Sequence, residues 1–267
     1  MKATTGIGLR NVQDVYSGPE GVLWELVMGE QIHIGGFQSS MALADASAIG
    51  AGMSGVDLCC CSGAGMRFLV RFRNVEKMTG VDATEKMVSL GRARCEAEGS
   101  HDRIEFVLAD ATDSGLASGG FDFVWGEDAW CYVEDKERLI AEAARLVMPG
   151  GTIAFTDWVE GPAGMTDEEA ERLLKFMKFP NVQDIEGYRG LLEANGCEVA
   201  HAADTERFGP YMDLYLNLLT MQHTYDALRI IAFDANLMDA MGKEMVFMQT
   251  LAHDKKIAQG MFIARKK

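Results

Sequence analysis

From residue 55 onward, short apolar runs alternate with longer stretches of helical spacing. Val56–Cys60 is apolar at almost every position, as in a strand buried on both faces. Glu76–Val81, Ile104–Leu108, Phe121–Trp125 and Thr152–Thr156 read as further strands. Between them, Ala64–Arg73, Thr84–Glu98 and Lys136–Val147 read as helices. Thr84 is placed as an N-cap, and Pro149-Gly150-Gly151 stops the third helix. Strands spaced by helices predict an α/β fold with a doubly wound, mostly parallel sheet. Right-handed crossovers then put the C-terminal strand ends along one edge, where ligands bind.

The flanking regions have a different pattern. Residues 1–51 read as a helical N-terminal cap, with Tyr16, Leu23, Leu26 and Val27 as an apolar stripe and Ser40–Ile49 as another. Gly29–Phe37 between them is a glycine-rich loop. Residues 184–195 form a helix closed by Asn195-Gly196, and Cys197–Ala203 and Gly260–Lys266 supply the sixth and seventh strands. The chain is expected to be a single domain: cap 1–51, core 55–205, helical segment 206–259 and last strand 260–267. The helical segment is rich in methionine (Met212, Met221, Met238, Met241, Met245, Met248), which fits adaptable core filling or a pliable lid.

Composition restricts the partners. The formal net charge of −15 repels polyanions, so nucleic acid is not expected. Arg67, Arg71 and Arg73 fall on one helix and read as a solvated face. No apolar run reaches membrane-spanning length and Met1–Thr5 opens no signal segment, so no membrane partner and a cytoplasmic location are expected. Of six cysteines three are consecutive, which fits reduced thiols better than a disulfide framework. An oligomer is compatible with the chain.

Candidate chemistry lies at the strand ends. Asp57, Asp82 and Asp110 fall at or near the ends of three successive strands, followed by Glu127-Asp128 and Asp157. Each carboxylate needs a partner if it is buried. Asp57-Leu58-Cys59-Cys60-Cys61-Ser62-Gly63 reads as a strand running into a tight turn before a helix. An acid after the second strand suits two ribose hydroxyls, and an acid after the third suits the exocyclic amine of adenine. The set points to an adenosine-containing ligand. The turn lacks the three-glycine spacing of a dinucleotide site. A metal site on Cys59-Cys60-Cys61 is not expected, because neighbouring strand side chains point to opposite faces.

These segments resemble the class I S-adenosylmethionine-dependent methyltransferases. The resemblance rests on Val56–Gly63, Gly80–Met87, Leu108–Ala111, Phe121–Trp125 and Pro149–Gly151, and covers about residues 55–200. It implies a Rossmann-like seven-stranded fold and S-adenosylmethionine as cofactor. It also implies cofactor contacts from Asp57, Cys59, Gly63, Asp82, Ala83, Met87, Asp110, Ala111 and Glu127. A narrower resemblance covers nearly the whole chain. Leu23-Trp24, Gly29–Gly35, Met66–Arg71, Trp125–Trp130 and Gly260-Met261-Phe262 are similar to the sarcosine/dimethylglycine N-methyltransferase group and related phosphoethanolamine enzymes. That group usually carries Gly where Cys59 and Cys61 stand here. Cys61 either tolerates its backbone angles or alters cofactor binding.

The reaction so implied is methyl transfer to a small-molecule amine such as sarcosine or dimethylglycine. The alternatives are an O- or C-methyltransferase of a larger apolar metabolite, and a silent cofactor-binding module. Aligning the nucleophile with the methyl group contributes roughly 7–11 kcal/mol. Aromatic faces stabilise methylated cations by about 0.5–2 kcal/mol each. The positioning candidates are Trp24, His33, Trp130, Tyr132 and Trp158, with Tyr16 beside them; Asp157 and Glu127 are candidates for the acceptor.

Overall fold

A computed structural model describes all 267 residues. The chain opens with the short strand β1 (Lys2–Ala3) and helices α1 (Leu9–Ser17), α2 (Pro19–Met28) and α3 (Gly36–Ser47). The alternating core follows as β2 (Ser54–Leu58), α4 (Ala64–Phe72), β3 (Lys77–Asp82), α5 (Glu85–Glu98), β4 (Ile104–Leu108), β5 (Phe121–Glu127), α6 (Lys136–Leu146) and β6 (Val147–Glu160). Then come α7 (Asp167–Met177), β7 (Asn181–Val182), α8 (Ile185–Ala194) and β8 (Cys197–Asp204). Helices α9 (Phe208–Asn217), α10 (Thr224–Ile230) and α11 (Ala235–His253) lead to β9 (Ile257–Lys266).

The main sheet has seven strands in the order β4-β3-β2-β5-β6-β9-β8. From β4 to β6 all neighbours are parallel, and β9 runs antiparallel to both β6 and β8. The chain winds outward from β2 to β4, then returns to lay β5 on the other side of β2. That reversal opens a crevice at the C-terminal ends of β2 and β5.

Side-chain alternation assigns the two faces. Val56 and Leu58 point into a core with Leu139, Ile140, Tyr188 and Phe262, under α6 and α8. On the opposite face Phe123 and Trp125 pack with Met66, Leu69 and Leu43, under α3 and α4. A third core joins the N-terminal cap to the later helices: Val15, Trp24 and Val27 meet Leu173, Phe208, Met212, Met245 and Met248. Three of the methionines are thus core filling, while Met221 is exposed. No helix is long and apolar enough to cross a membrane.

Several sequence expectations change. α7 is an additional helix; its Thr166–Glu169 capping box was a readable start signal. β6 runs on to Glu160, so Asp157 and Trp158 lie inside a strand rather than past its end. β9 begins at Ile257, three residues before the expected Gly260. Thr84 occupies the N-cap position of α5 without a side-chain cap, and its own amide donates to Asp82 Oδ1 at 2.8 Å. Arg67 is buried, not solvated: it pairs with Glu30 and, at 3.1 Å, with Glu98, and donates to Ser62 O at 2.7 Å. Arg94 similarly ties Glu25 of α2 to Ser62 Oγ.

Gly55 of β2 lies opposite Phe123 of β5, and a Cβ there would fall 2.2 Å from the ring. Gly55→Ala is therefore expected to cost about 1–3 kcal/mol of stability through overpacking. Urea unfolding of the variant measures this; an unchanged midpoint would contradict the packing.

Candidate functional site

The switch point is built on one turn. β2 ends at Leu58, and α4 begins at Ala64 with Gly63 as its N-cap. Within the turn Cys59 (φ 63°) and Cys61 (φ 50°) adopt left-handed backbone, as does Gly63 (φ 74°). For a residue with a Cβ that conformation costs roughly 1–2 kcal/mol. The turn is held by hydrogen bonds: Cys60 N donates to Val81 O (3.1 Å), Gly63 N to Cys60 O (2.8 Å) and Cys61 N to Asp82 Oδ2 (2.8 Å). Asp82 thus braces the turns after β2 and β3 together. Burial pushes its pKa up, and the two amide donors oppose that shift.

Two adjoining chambers meet at this turn. The larger, of about 250 Å³, has Leu9, Val12 and Tyr16 of α1 as its ceiling. Asp82, Ala83, Met87, Asp110 and Ala111 form one wall, and Ala129, Tyr132, Val133, Glu134 and Arg138 form the other. The smaller, of about 60 Å³, lies between the Glu30–His33 loop, Asp57, Gly65 and Glu127–Ala129. Tyr16, Cys59, Cys61 and Ala129 border both.

The smaller chamber is acidic. Asp57 is buried, and burial with Glu127 and Asp82 nearby holds its carboxyl well above the usual range. Glu127 Oε1 accepts from Ser40 Oγ at 2.6 Å and lies 3.3 Å from His33 Nε2. A Cβ on Gly65 would fall 2.7 Å from Glu127 Oε2 and 3.5 Å from Asp57 Oδ2, so both carboxylates converge on the start of α4. Neither has a Lys or Arg within ion-pair distance. A cationic ligand group fits there, since like charges brought together from water need a counter-charge.

Asp128, just past Glu127, turns the chain with φ 51° and is buried. Its carboxylate accepts from Ile34 N at 2.7 Å and from Gln259 Nε2 at 2.8 Å, and Gln259 also donates to Ile34 O at 2.9 Å. These bonds fix the Gly29–Gly35 loop over the smaller chamber. Tyr215 of α9 supports it by donating to His33 O and accepting from Gly35 N.

The predicted residues separate cleanly by position. Cys59, Asp82, Ala83, Met87, Asp110 and Ala111 line the larger chamber; Asp57, Cys59, Glu127 and His33 line the smaller. Tyr132 faces the larger chamber, where its hydroxyl accepts from Tyr16 OH at 3.1 Å. Burial pushes both phenols up, so both stay neutral. Gly63 lines neither chamber: its amide is used within the turn and its Cα abuts Phe106. Trp24 packs in the cap core, and Trp158 sits edge-on to Phe179 and Phe208. Trp130 stacks on Phe155 at 4.0 Å while its Nε1 donates to Leu58 O. None of the three tryptophans borders a chamber. Asp157 is fully buried beneath the site. Leu9, Val12 and Arg138 were missed; the amphipathic spacing of α1 was the available signal for the first two.

Residues 56–155 match the methyltransferase domain family. These residues form a methyltransferase domain. Phosphoethanolamine N-methyltransferase 1 of Triticum aestivum is 29% identical over 212 residues, covering 78% of this chain and 42% of that protein. Sarcosine/dimethylglycine N-methyltransferase of Halorhodospira halochloris is 30% identical over 109 residues, 39% of each chain. The chain spans about half the length of the curated relatives it matches. Among solved structures, a Galdieria sulphuraria protein described as a candidate sarcosine dimethylglycine methyltransferase superposes with a TM-score of 0.84 at 18% identity, covering 93% of this chain and 97% of that one. Haemonchus contortus phosphoethanolamine N-methyltransferase 2, with phosphomonomethylethanolamine and S-adenosylhomocysteine, gives 0.86 at 18% identity, covering 98% and 60%. The family and fold read from the sequence therefore stand.

In the methyltransferase domain the left-handed turn at Cys61 carries a measurable penalty. Cys61→Gly is expected to raise stability by up to about 1 kcal/mol, the strain relieved less the entropy glycine loses. Cys61→Val, branched at Cβ, is expected to lower it. Thermal unfolding compares the two; a valine variant melting with the wild type would refute the left-handed assignment.

Proposed function

We propose that this methyltransferase domain binds S-adenosylmethionine across both chambers and transfers its methyl group to a small-molecule amine, with sarcosine and dimethylglycine as the first acceptors to test. The observation that carries this reading is the pairing of two chambers of different chemistry at one turn. One has an acid and a methionine suited to ribose and adenine; the other has two carboxylates suited to an ammonium. Asp82 keeps lone pairs for ribose hydroxyls while its carboxylate is braced by Cys61 N and Thr84 N. Ala83, Met87 and Ala111 flank an adenine, and Asp110, one oxygen of which is held by Thr112, turns the other toward its amine. Asp57 and Glu127 take the ammonium of the amino-acid portion.

The cofactor supplies a methyl group already activated on a sulfonium. This chain's residues position and shield. The α1 ceiling excludes water, and Gln13 of that helix pins it by donating to Ala83 O at 2.8 Å. Tyr16 and Tyr132 present neutral hydroxyls and π faces at the junction of the chambers, where aromatic faces stabilise cations by about 0.5–2 kcal/mol. An amine acceptor must be neutral to attack, and burial lowers its pKa. His33, poised against Glu127, is the remaining candidate contact from the cap loop.

A second reading has its own support. Leu9, Val12 and Val133 give the larger chamber apolar walls, as an O- or C-methyltransferase of a larger metabolite requires. A 27-O-demethylrifamycin SV methyltransferase of Amycolatopsis mediterranei is 31% identical over 134 residues, 49% of each chain.

Methyl-labelled S-adenosylmethionine offered with amine and with phenol or hydroxy-acid panels separates these readings. Label in the amines is the expected result; label confined to the oxygen acceptors overturns the amine assignment. Calorimetry with S-adenosylhomocysteine tests the cofactor site directly, and no heat would remove both readings. Asp82→Ala is expected to weaken that binding about 10–100-fold, corresponding to the roughly 1.5–3 kcal/mol of hydrogen bonds to a charged group.

A further inference from the structure

His33 leaves one hydrogen-bonding atom unused. The residue is 3% exposed and borders the smaller chamber, and its Nδ1 is a buried nitrogen without a partner. Its Nε2 lies 3.2 Å from Ser40 Oγ and 3.3 Å from Glu127 Oε1. The bonds around Ser40 decide which nitrogen carries the hydrogen. Ser40 has one hydroxyl hydrogen, and the 2.6 Å contact to Glu127 Oε1 spends it. One of its lone pairs accepts from Gln31 Nε2 at 2.8 Å. What is left for His33 is the second lone pair, beside a carboxylate oxygen that also accepts. Nε2 therefore donates. A neutral imidazole has one donor and one acceptor nitrogen, so Nδ1 is an open lone pair. Buried polar atoms are ordinarily satisfied, and this exception sits in a residue of a chamber wall.

We propose that His33 Nδ1 is the proton acceptor of the site, taking the N–H proton of an amine acceptor while Glu127 and Ser40 hold the ring in the required tautomer. The assignment rests on the amine reading above and gives it the base it lacks. The other groups around the smaller chamber are occupied. Asp128 accepts from Ile34 N and Gln259 Nε2, Glu30 pairs with Arg67, and Ser62 Oγ accepts from Arg94. Burial pushes the Cys59 and Cys61 thiols and the Tyr16 phenol up, so each keeps its proton. Asp57 and Glu127 are committed to an ammonium in that reading.

An aliphatic amine is mostly an ammonium at neutral pH. In the proposed step one of its N–H bonds breaks, the electron pair stays on nitrogen as the nucleophile, and the proton bonds to Nδ1. The imidazolium so formed keeps its Nε2–H toward Glu127, whose carboxylate stabilises the new charge, and later gives the proton to water. The charged and titratable groups facing His33 are Glu127 at the end of β5, Asp128 just past it, and Tyr215 of α9 at the His33 carbonyl. Two of the three are acids, which favour a proton on the ring between them.

Long-range proton–nitrogen correlation spectra of the imidazole rings, taken on the ligand-free protein at pH 8, read the tautomer directly. A protonated Nε2 and a bare Nδ1 are expected for His33; the opposite tautomer overturns the proposal. Kinetics test the proton transfer. His33→Gln is expected to lower kcat/KM for sarcosine at pH 7 about 100-fold, the low end of general acid–base contributions. Only amine already neutral in solution then reacts, so the variant should climb about 10-fold per pH unit from pH 7 to pH 9 while the wild type stays nearly level. Parallel profiles mark a structural loss and overturn the proposal. Calorimetry should show S-adenosylhomocysteine affinity retained in the variant; its loss makes His33 a cofactor contact and also overturns the proton role. Should His33→Gln not fold, Ser40→Ala keeps the ring and removes one acceptor of its Nε2–H. The other tautomer should then appear in part, and kcat/KM at pH 7 should fall; a spectrum and rate like those of the wild type overturn the assignment. A wild type that labels no amine removes the amine reading and the proton transfer with it, while the spectrum still decides whether Nδ1 is the open acceptor.

Discussion

The structure depends on a three-way hydrogen-bond node at Asp128. Its carboxylate joins the amide of Ile34, from the cap loop, to the side chain of Gln259, from β9, and Gln259 closes the ring onto Ile34 O. Three distant parts of the chain thereby meet over the switch point of the sheet. A buried carboxylate left without these donors would cost roughly 1–3 kcal/mol or more. The node also accounts for the left-handed backbone at Asp128, which turns its side chain from the direction of β5 toward the loop. Together with the Arg67–Glu30 pair and the Tyr215 hydroxyl it places the Glu30–His33 wall of the smaller chamber.

The same region gathers carboxyl groups that no lysine or arginine pairs. Asp57 and Glu127 converge on Gly65, and Asp82 lies close enough to raise Asp57 further. The arginines nearby are engaged elsewhere: Arg67 and Arg94 bind Glu30, Glu25 and Ser62, docking the cap onto the turn after β2. Basic partners are supplied around the chamber and none inside it. A ligand that brings a positive group supplies the counter-charge these carboxyl groups favour.

Much of the fold was legible in the sequence because parallel strands are apolar throughout and end in acids. Asp57, Asp82 and Asp110 could be aligned without coordinates. The aromatic candidates could not. Proximity to a strand end does not say which face a ring takes, and Trp130 took the core because Phe155 and the Leu58 carbonyl were there to receive it. Trp158 followed its strand, which runs four residues past the expected end. Gly63 resembled a ligand contact but serves the turn itself and the close approach of Phe106. Arg67 read as surface because its partners, Glu30 and Glu98, are far apart in sequence. The Cys59 and Cys61 substitutions were visible, but their left-handed angles were not, since those come from Val81 and Asp82 on the neighbouring strand.

The position of β9 imposes an order of events. It is threaded between β6 and β8 rather than added at an edge, and it carries Gln259. During synthesis the strands from β2 to β6 emerge first and can pair with one another while the chain is still growing. The cap loop emerges earlier still, yet the node it closes on is incomplete until residue 259 has left the ribosome. The parallel sheet and the turn after β2 can therefore form well before the site can shut. A nascent chain stalled before β9 would hold an open chamber and two unpaired strand edges, which makes late synthesis its period of greatest exposure to aggregation.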